Sequence, residues 1–331
     1  MRAGIVVIGR NEGPGLIRCL RSALACGVPV VYADSGSSDG SAASSRSLGV
    51  EVVELDAARP FSAARGRNEG YARLMAMHPD VDVVQFVDGD CELFPGWLER
   101  GLLELSRRPD AAIVCGRVRE RAPSASLYNA LCALEWRLPP GEVDACGGIF
   151  AVRARAFRDV GGFRDDVLAG EEPEFCLRIR RAGHKVLHVP DDMVWHDSAL
   201  LRFGQWWQRA RRGGRAYAQG AELHGASRDR HFVRETRSAL LWALVPPALA
   251  LGLSWPSSGL SLALFCAYPL QALRVARKAR ARGWSGEEAR LYGLFTVLAK
   301  FAEAQGVLEH RWRSRRRRSA PAALPGPAST P

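Results

Sequence analysis

Two acidic loops carry the chemistry that this sequence offers first. Asp88-Gly89-Asp90 stands where the apolar run Val83-Val-Gln-Phe-Val87 gives way to a loop, so both carboxylates fall at the end of a strand. Hard oxygen ligands suit Mg²⁺ or Mn²⁺. A divalent ion held by one or two carboxylates completes its shell with substrate phosphates, which makes a nucleoside diphosphate the natural ligand. Asp34-Ser-Gly-Ser-Ser-Asp39-Gly40 follows a second apolar run and opens a helical stretch. A carboxylate exposed there accepts from a base N–H or from ribose hydroxyls, although the same residues also make a turn and a helix cap. Asp-x-Asp triplets are common in turns too, so neither loop names a reaction alone. The chain has neither Gly-x-Gly-x-x-Gly nor a Walker A lysine, which excludes dinucleotide and P-loop readings.

These loops need a scaffold, and the apolar pattern supplies one. Ala3–Gly9 is a β-branched run without alternation, the mark of a strand buried on both faces. Leu16, Ile17, Leu20 and Leu24 then recur at helical spacing after Pro14. Val28–Ala33, Val50–Leu55, Val81–Val87 and Ala111–Val118 read as further strands. Ser38–Leu48, Ala63–Met77 and Gly96–Ser106 read as helices between them, and Val186–Val189 is strand-like again. Alternation of this kind implies an α/β fold with a mostly parallel sheet, helices on both faces and right-handed crossovers. Ligands then bind beyond the carboxyl ends of the strands, where the acidic loops lie.

The 331 residues are 47% hydrophobic and 24% charged, an ordinary globular composition. The net charge of +11 is unevenly spread: residues 1–200 hold 24 Lys+Arg against 28 Asp+Glu, residues 201–331 hold 22 against 7. All but three of the cations (Lys185, Lys278, Lys300) are arginines, a bias that points to GC-rich coding rather than to a nucleic-acid surface. The eight cysteines contain no Cys-x-x-Cys pair and sit mostly in apolar runs, consistent with a reducing compartment. The first apolar run is broken at once by Arg10-Asn11-Glu12 and reads as a strand, not a secretory signal.

From Ser238 the chain changes character. Ser238–Trp255 and Leu260–Leu273 are nearly free of charge, each shorter than the ~20 residues of a straight span, and Pro246-Pro247 interrupts the first. A re-entrant hairpin over 238–273 or two short spans follow from this. Arg230, Arg234 and Arg237 before it, and Arg274, Arg277 and Lys278 after it, place both flanks in the cytoplasm. Leu291, Leu294, Phe295, Leu298 and Ala302 share one helical face, which predicts an interfacial helix over 290–308. Arg311–Arg318 extends the membrane contact to 290–318, and 311–331 reads as a basic, Pro/Ala-rich disordered tail. The expected domains are therefore 1–230, 231–310 and 311–331.

Taken together, Ile8-Gly-Arg-Asn-Glu12, Asp34-Ser-Gly-Ser-Ser-Asp-Gly-Ser41, Arg65-Gly-Arg-Asn-Glu-Gly70 and Phe86-Val-Asp-Gly-Asp-Cys91 resemble, in order and spacing, the landmarks of family 2 glycosyltransferases. Gly147-Gly148, Gly161-Gly162-Phe163 and Gly170-Glu-Glu-Pro-Glu174 are similar to later ones, so the resemblance covers about residues 3–200. It implies a GT-A fold and inverting transfer from a nucleoside-diphosphate sugar, a UDP-sugar foremost. It further implies that Glu12, Asp34 and Arg67 or Asn68 hold the nucleotide, and that Asp88 and Asp90 hold ribose and metal, with Asp90 the direct ligand. Glu171-Glu172 stands where the family has Glu-Asp, whose second member is the catalytic base; Glu172 is the first choice and Glu171 the second. His196, in Trp195-His-Asp197, lies where the family sometimes has a metal or phosphate contact. Gln205-Trp-Trp-Gln-Arg209 departs from the Gln-x-x-Arg-Trp of processive synthases, so addition of a single sugar is expected.

The basic, apolar C-terminal region suggests a lipid-linked saccharide acceptor, used in cell-surface polysaccharide or glycolipid assembly at the cytoplasmic face of the inner (plasma) membrane. Transfer onto polyprenyl phosphate is the alternative activity. An inactive GT-A membrane scaffold is the alternative of another class.

Overall fold

The computed structural model describes residues 1–319, and the chain divides into two units, Met1–Gln205 and Trp206 onward. That boundary lies before the one at 230 expected from composition, because the helix beginning at Phe203 packs with the C-terminal helices.

In the first unit β1 (Ala3–Gly9), α1 (Pro14–Leu24), β2 (Val30–Asp34), α2 (Ser41–Ser47), β3 (Glu51–Glu54), α3 (Ala63–Met77) and β4 (Val83–Asp88) follow the expected alternation. Then come β5 (Cys91–Leu93), α4 (Trp97–Arg107), β6 (Ala111–Glu120), α5 (Leu127–Glu135), β7 (Gly141–Glu142), β8 (Phe150–Arg153), α6 (Ala154–Asp159), α7 (Glu171–Arg181) and β9 (Lys185–His196). The sheet order is β3-β2-β1-β4-β8-β6-β9-β5, with β7 on β9. β3 through β4 pair in parallel, as do β6 and β9; β8 runs antiparallel between β4 and β6. The sheet is thus mixed, since β8, too short to stand out as an apolar run, reverses the direction of its middle.

Register puts the functional ends in line. Gly9 lies opposite Asp34 and Ile8 opposite Asp88, so three neighbouring strands release their loops at one edge. β5 is antiparallel to β9 with Cys91 opposite His196, which sets Asp90 beside that histidine. Helix α3 lies directly on β1 because Gly70 has no side chain: a methyl there would come 2.5 Å from Val6 Cγ1. The aromatic core beneath this edge includes Phe150, Phe157, Phe163 and Phe175, with Phe163 and Phe175 stacked at 4.6 Å.

The second unit is helical: α8 (Phe203–His224), α9 (Val233–Gly252), α10 (Ala267–Ala281) and α11 (Gly286–Ser319). Pro246 and Pro247 do not interrupt α9, which runs through them. Pro246 lacks the N–H that the Trp242 carbonyl would receive in a regular helix. Tyr268 Oη donates to that carbonyl instead, at 2.8 Å. No helix among the described residues is long and apolar enough to cross a membrane. The expected interfacial face of α11 is divided: Ala302 is buried while Leu294 is exposed. At Gly306 a side chain would overlap the Arg211 carbonyl of α8, so α11 packs backbone to backbone there. The predicted disordered tail is helical up to Ser319, and residues 320–331 lie outside the described residues.

Candidate active site

The carboxyl edge of the first unit gathers charge around one buried arginine. Arg67, on α3 and 2% exposed, donates from Nη2 to Asp88 Oδ1 at 2.8 Å and from Nη1 to Glu171 Oε1 at 2.9 Å. Burial works against its charge, but the two carboxylates outweigh this and raise its pKa. One guanidinium thereby ties the end of β4 to the start of α7, the two segments expected to hold donor and base. Gly148 makes room for it: a side chain at 148 would collide with Arg67 Nη2 and come 2.9 Å from Asp88 Oδ2.

Negative charge accumulates beside this pair. Burial raises the Glu12 carboxyl pKa, helped by Asp90, Asp88 and Asp39. Burial likewise raises that of Asp90; His196 opposes the shift and Asp88 adds to it. His196 Nε2 lies 3.6 Å from Asp90 Oδ2, and Nδ1 lies 2.8 Å from Glu120 Oε2. Burial disfavours the His196 cation, yet Cys132, Glu120 and Asp90 prevail and raise its pKa to about 10. For Glu120 burial alone would raise the carboxyl, but His196 and the Ser198 amide draw it below its ordinary value. Three clustered acids with a neighbouring imidazole are a donor set for a hard divalent cation. Asp90 and His196 offer ligand atoms within 4.8 Å of one another, and with Asp88 beside them these oxygen and nitrogen donors fit such an ion.

Glu171 and Glu172 start the same helix and turn to different surroundings. Glu171 belongs to Arg67. Glu172, 5% exposed, accepts on Oε1 from the Cys146 amide at 2.7 Å, the Cys176 thiol at 3.0 Å and the Cys146 thiol at 3.2 Å. Burial raises its pKa despite these three donors, with Glu171 adding to the rise.

Two of the expected nucleotide contacts are otherwise engaged. Asp34, 2% exposed, accepts from Tyr32 Oη at 2.8 Å, Ser37 N at 2.8 Å and Ser37 Oγ at 2.5 Å, closing its own turn. Asn68 accepts from Phe163 N at 2.9 Å and donates to Phe163 O at 2.8 Å and Asp165 Oδ1 at 2.9 Å, which fastens α3 to the loop before α7. The site therefore joins Glu12, Arg67, Asp88, Asp90, Glu171 and His196, with Glu172 next to Glu171 at the start of α7, while Asp34 and Asn68 close the loops around it. Glu120, Cys146 and Cys176 were not foreseen. The signal for Glu120 was its place as the last, acidic residue of a strand that begins with the apolar run Ala111–Cys115.

Residues 4–161 match the model of Glycosyl transferase family 2, and residues 140–275 that of Glycosyl transferase family group 2. A pre-mycofactocin glycosyltransferase of Mycobacterium tuberculosis is 28% identical over 207 residues, 58% of this chain and 42% of the relative. The chain thus spans less than half the length of that relative. Glycosyltransferase AglE of Haloferax volcanii is 24% identical over 257 residues, 73% of this chain and 79% of its own. Among solved structures, the mannosyltransferase PcManGT of Pyrobaculum calidifontis superposes with a TM-score of 0.58 at 18% identity, covering 94% of this chain and 87% of that one, a likeness of fold. The two family models overlap and together run from residue 4 to residue 275, across the edge where Arg67 joins Asp88 to Glu171. Over residues 4–161 the chain resembles glycosyltransferase family 2, and its fold is GT-A.

Proposed function

We propose that the chain is an inverting glycosyltransferase that moves one sugar from a nucleoside-diphosphate sugar, a UDP-sugar or GDP-sugar, to a hydroxyl of a lipid-linked saccharide. The observation that carries this reading is the Arg67 bridge, which sets the Asp88 side of the site against the Glu171-Glu172 side. Asp90 and His196 would hold the Mg²⁺ or Mn²⁺, with Asp88 beside them. A bound divalent ion supplies charge stabilisation for the departing diphosphate. That the P. calidifontis neighbour was solved with GDP-Man and Mn²⁺ supports a metal-assisted donor site.

The chain's own residues then divide the work. Arg67 holds Asp88 in place. Glu172 takes the proton of the acceptor hydroxyl through Oε2, which has no hydrogen-bond partner among the described residues. A base whose pKa is raised by burial is better matched to neutral pH than an ordinary glutamate. Glu171 is held by Arg67 and borders the acceptor. One displacement inverts the anomeric centre.

The lipid-linked acceptor and a station on the cytoplasmic face of the membrane are supported by the second unit, whose large apolar side chains stand out in water between 241 and 273. Trp255 is 93% exposed, Leu260 77% and Leu270 65%. Apolar surface on this scale marks a lipid or protein contact.

The test incubates the full-length protein with radiolabelled UDP- or GDP-sugars, Mn²⁺ and either a polyprenyl diphosphate-linked sugar or polyprenyl phosphate. Label should pass to the saccharide, and Asp90→Ala should abolish transfer. Label on polyprenyl phosphate alone, or transfer unaffected in Asp90→Ala, overturns the reading.

A further inference from the structure

The Glu172 carboxylate is surrounded by sulfur. Cys146, from the loop before β8, contributes both its amide and its thiol, and Cys176 lies one turn along α7 from Glu172. The two sulfurs are 3.7 Å apart, and Cys115 of β6 reaches Cys146 behind them. All three cysteines are buried in the core. A buried cysteine packed as a small hydrophobe needs no polar partner, but here two thiols and an amide converge on a single oxygen of one carboxylate.

We propose that Cys146 and Cys176 are positioning residues for the Glu172 base, holding Oε1 so that Oε2 alone is left to receive the acceptor's proton. This rests on the assignment of Glu172 made above. Three donors on one oxygen remove the carboxylate's freedom to rotate, which a lone glutamate at a helix start would keep. The donors are also of a particular strength. A thiol is a weak hydrogen-bond donor, so it orients the carboxylate without favouring the charged form as strongly as a hydroxyl would. A base anchored by thiols keeps its proton affinity; one anchored by serines would lose part of it. Cys146, Cys176 and Glu172 could also be read as metal ligands. Burial, however, pushes the Cys176 thiol up to about 12 and the Cys146 thiol well above its usual range, which keeps both as S–H donors instead of thiolate ligands. The titratable groups facing Glu172 are Glu171 and Cys176 on its own helix and Cys146 from the opposite loop.

The experiment compares full-length wild type, Cys176→Ala, Cys176→Ser and Glu172→Gln by two readouts. The first is release of nucleoside diphosphate from UDP-glucose and from GDP-mannose with Mn²⁺, water as acceptor, across a pH series. The base works deprotonated, so the rate climbs as pH rises through its pKa. Cys176→Ala, with one donor to the charged form lost, should move that limb to higher pH and lower the maximal rate about 10–100-fold at unchanged donor affinity. Cys176→Ser, with a stronger donor, should restore the maximal rate and move the limb below that of wild type.

The second readout is the S–H stretching band in the infrared, which needs neither substrate nor activity. It should shift in the wild type as Glu172 ionises, and Glu172→Gln should abolish that shift. An S–H band that does not move with pH, or a pH–rate limb common to wild type and both Cys176 variants, overturns the positioning role. If Glu172→Gln itself keeps normal turnover, the base assignment falls instead, a result distinct from failure of the thiol contacts.

Discussion

Glu120 and His196 face each other where β6 and β9 end, and Glu120 Oε2 sits 2.8 Å from His196 Nδ1. With Nδ1 engaged, Nε2 is the nitrogen directed at Asp90. A carboxylate behind an imidazole raises its basicity and fixes its ring, the usual outer-shell arrangement of a histidine ligand.

Glu120→Gln keeps an acceptor for Nδ1 but removes the charge. Mn²⁺ affinity of the nucleotide-free protein should fall by about 10–100-fold, read as free Mn²⁺ by electron paramagnetic resonance. Unchanged affinity would mean that His196 is no ligand.

Gly148→Ala places a methyl against Arg67 and Asp88. Overpacking of this kind costs about 1–3 kcal/mol, and here it also pushes on the Arg67 bridge between Asp88 and Glu171. Thermal unfolding should drop by several degrees, and nucleotide-sugar binding measured by calorimetry should weaken in parallel. Normal binding in a destabilised variant would separate the bridge from the donor site.

Glu172 gives a pH signature in stability as well as in rate. Its pKa is raised on folding, so the stabilisation it contributes is fully present below the unfolded value near ~4.3 and is lost as pH rises through the folded pKa. Glu172→Gln removes a buried charge that forms only in the upper range. Its melting temperature should therefore exceed that of wild type at pH 8 by about 2–4 °C, equivalent to ~1 kcal/mol, and approach it at pH 5. Equal differences at both pH values would show that the carboxyl is not held neutral by its surroundings.

Tyr268→Phe leaves the Trp242 carbonyl without the donor that replaces the missing Pro246 N–H. A loss of about 0.5–1.5 kcal/mol is expected, seen as faster amide exchange in the turns of α9 around Pro246. Unchanged exchange would assign the straightness of α9 to packing alone.

Strands β1, β2 and β4 were legible because each is a mostly apolar run buried on both faces. β8 was not, since four residues give no period and nothing in Phe150–Arg153 states its direction. Pro246-Pro247 reads locally as a break, and only the long-range contact from Tyr268 explains why α9 continues. In the site, acidic residues at strand ends announced themselves by type and place. Asp34 and Asn68 announced themselves equally, but Asp34 is held within its own turn by Tyr32 and Ser37, and Asn68 by Phe163 and Asp165, partners far away in sequence. The cysteines around Glu172 gave no sign, being indistinguishable from core hydrophobes until α7 and the loop before β8 met.

The bridge at Arg67 also changes how the arginine-rich composition should be understood. Where almost every cation is an arginine, a codon bias and a chemical necessity leave the same letter. At position 67 the fork is indispensable: its two ends reach carboxylates on separate elements, and the single ammonium of a lysine cannot span both. Elsewhere, as at Arg46 or Arg73 on the surface, one point of charge serves as well. Systematic Arg→Lys exchange would therefore sort the chain's inherited arginines from its required ones, with position 67 among those that cannot be traded.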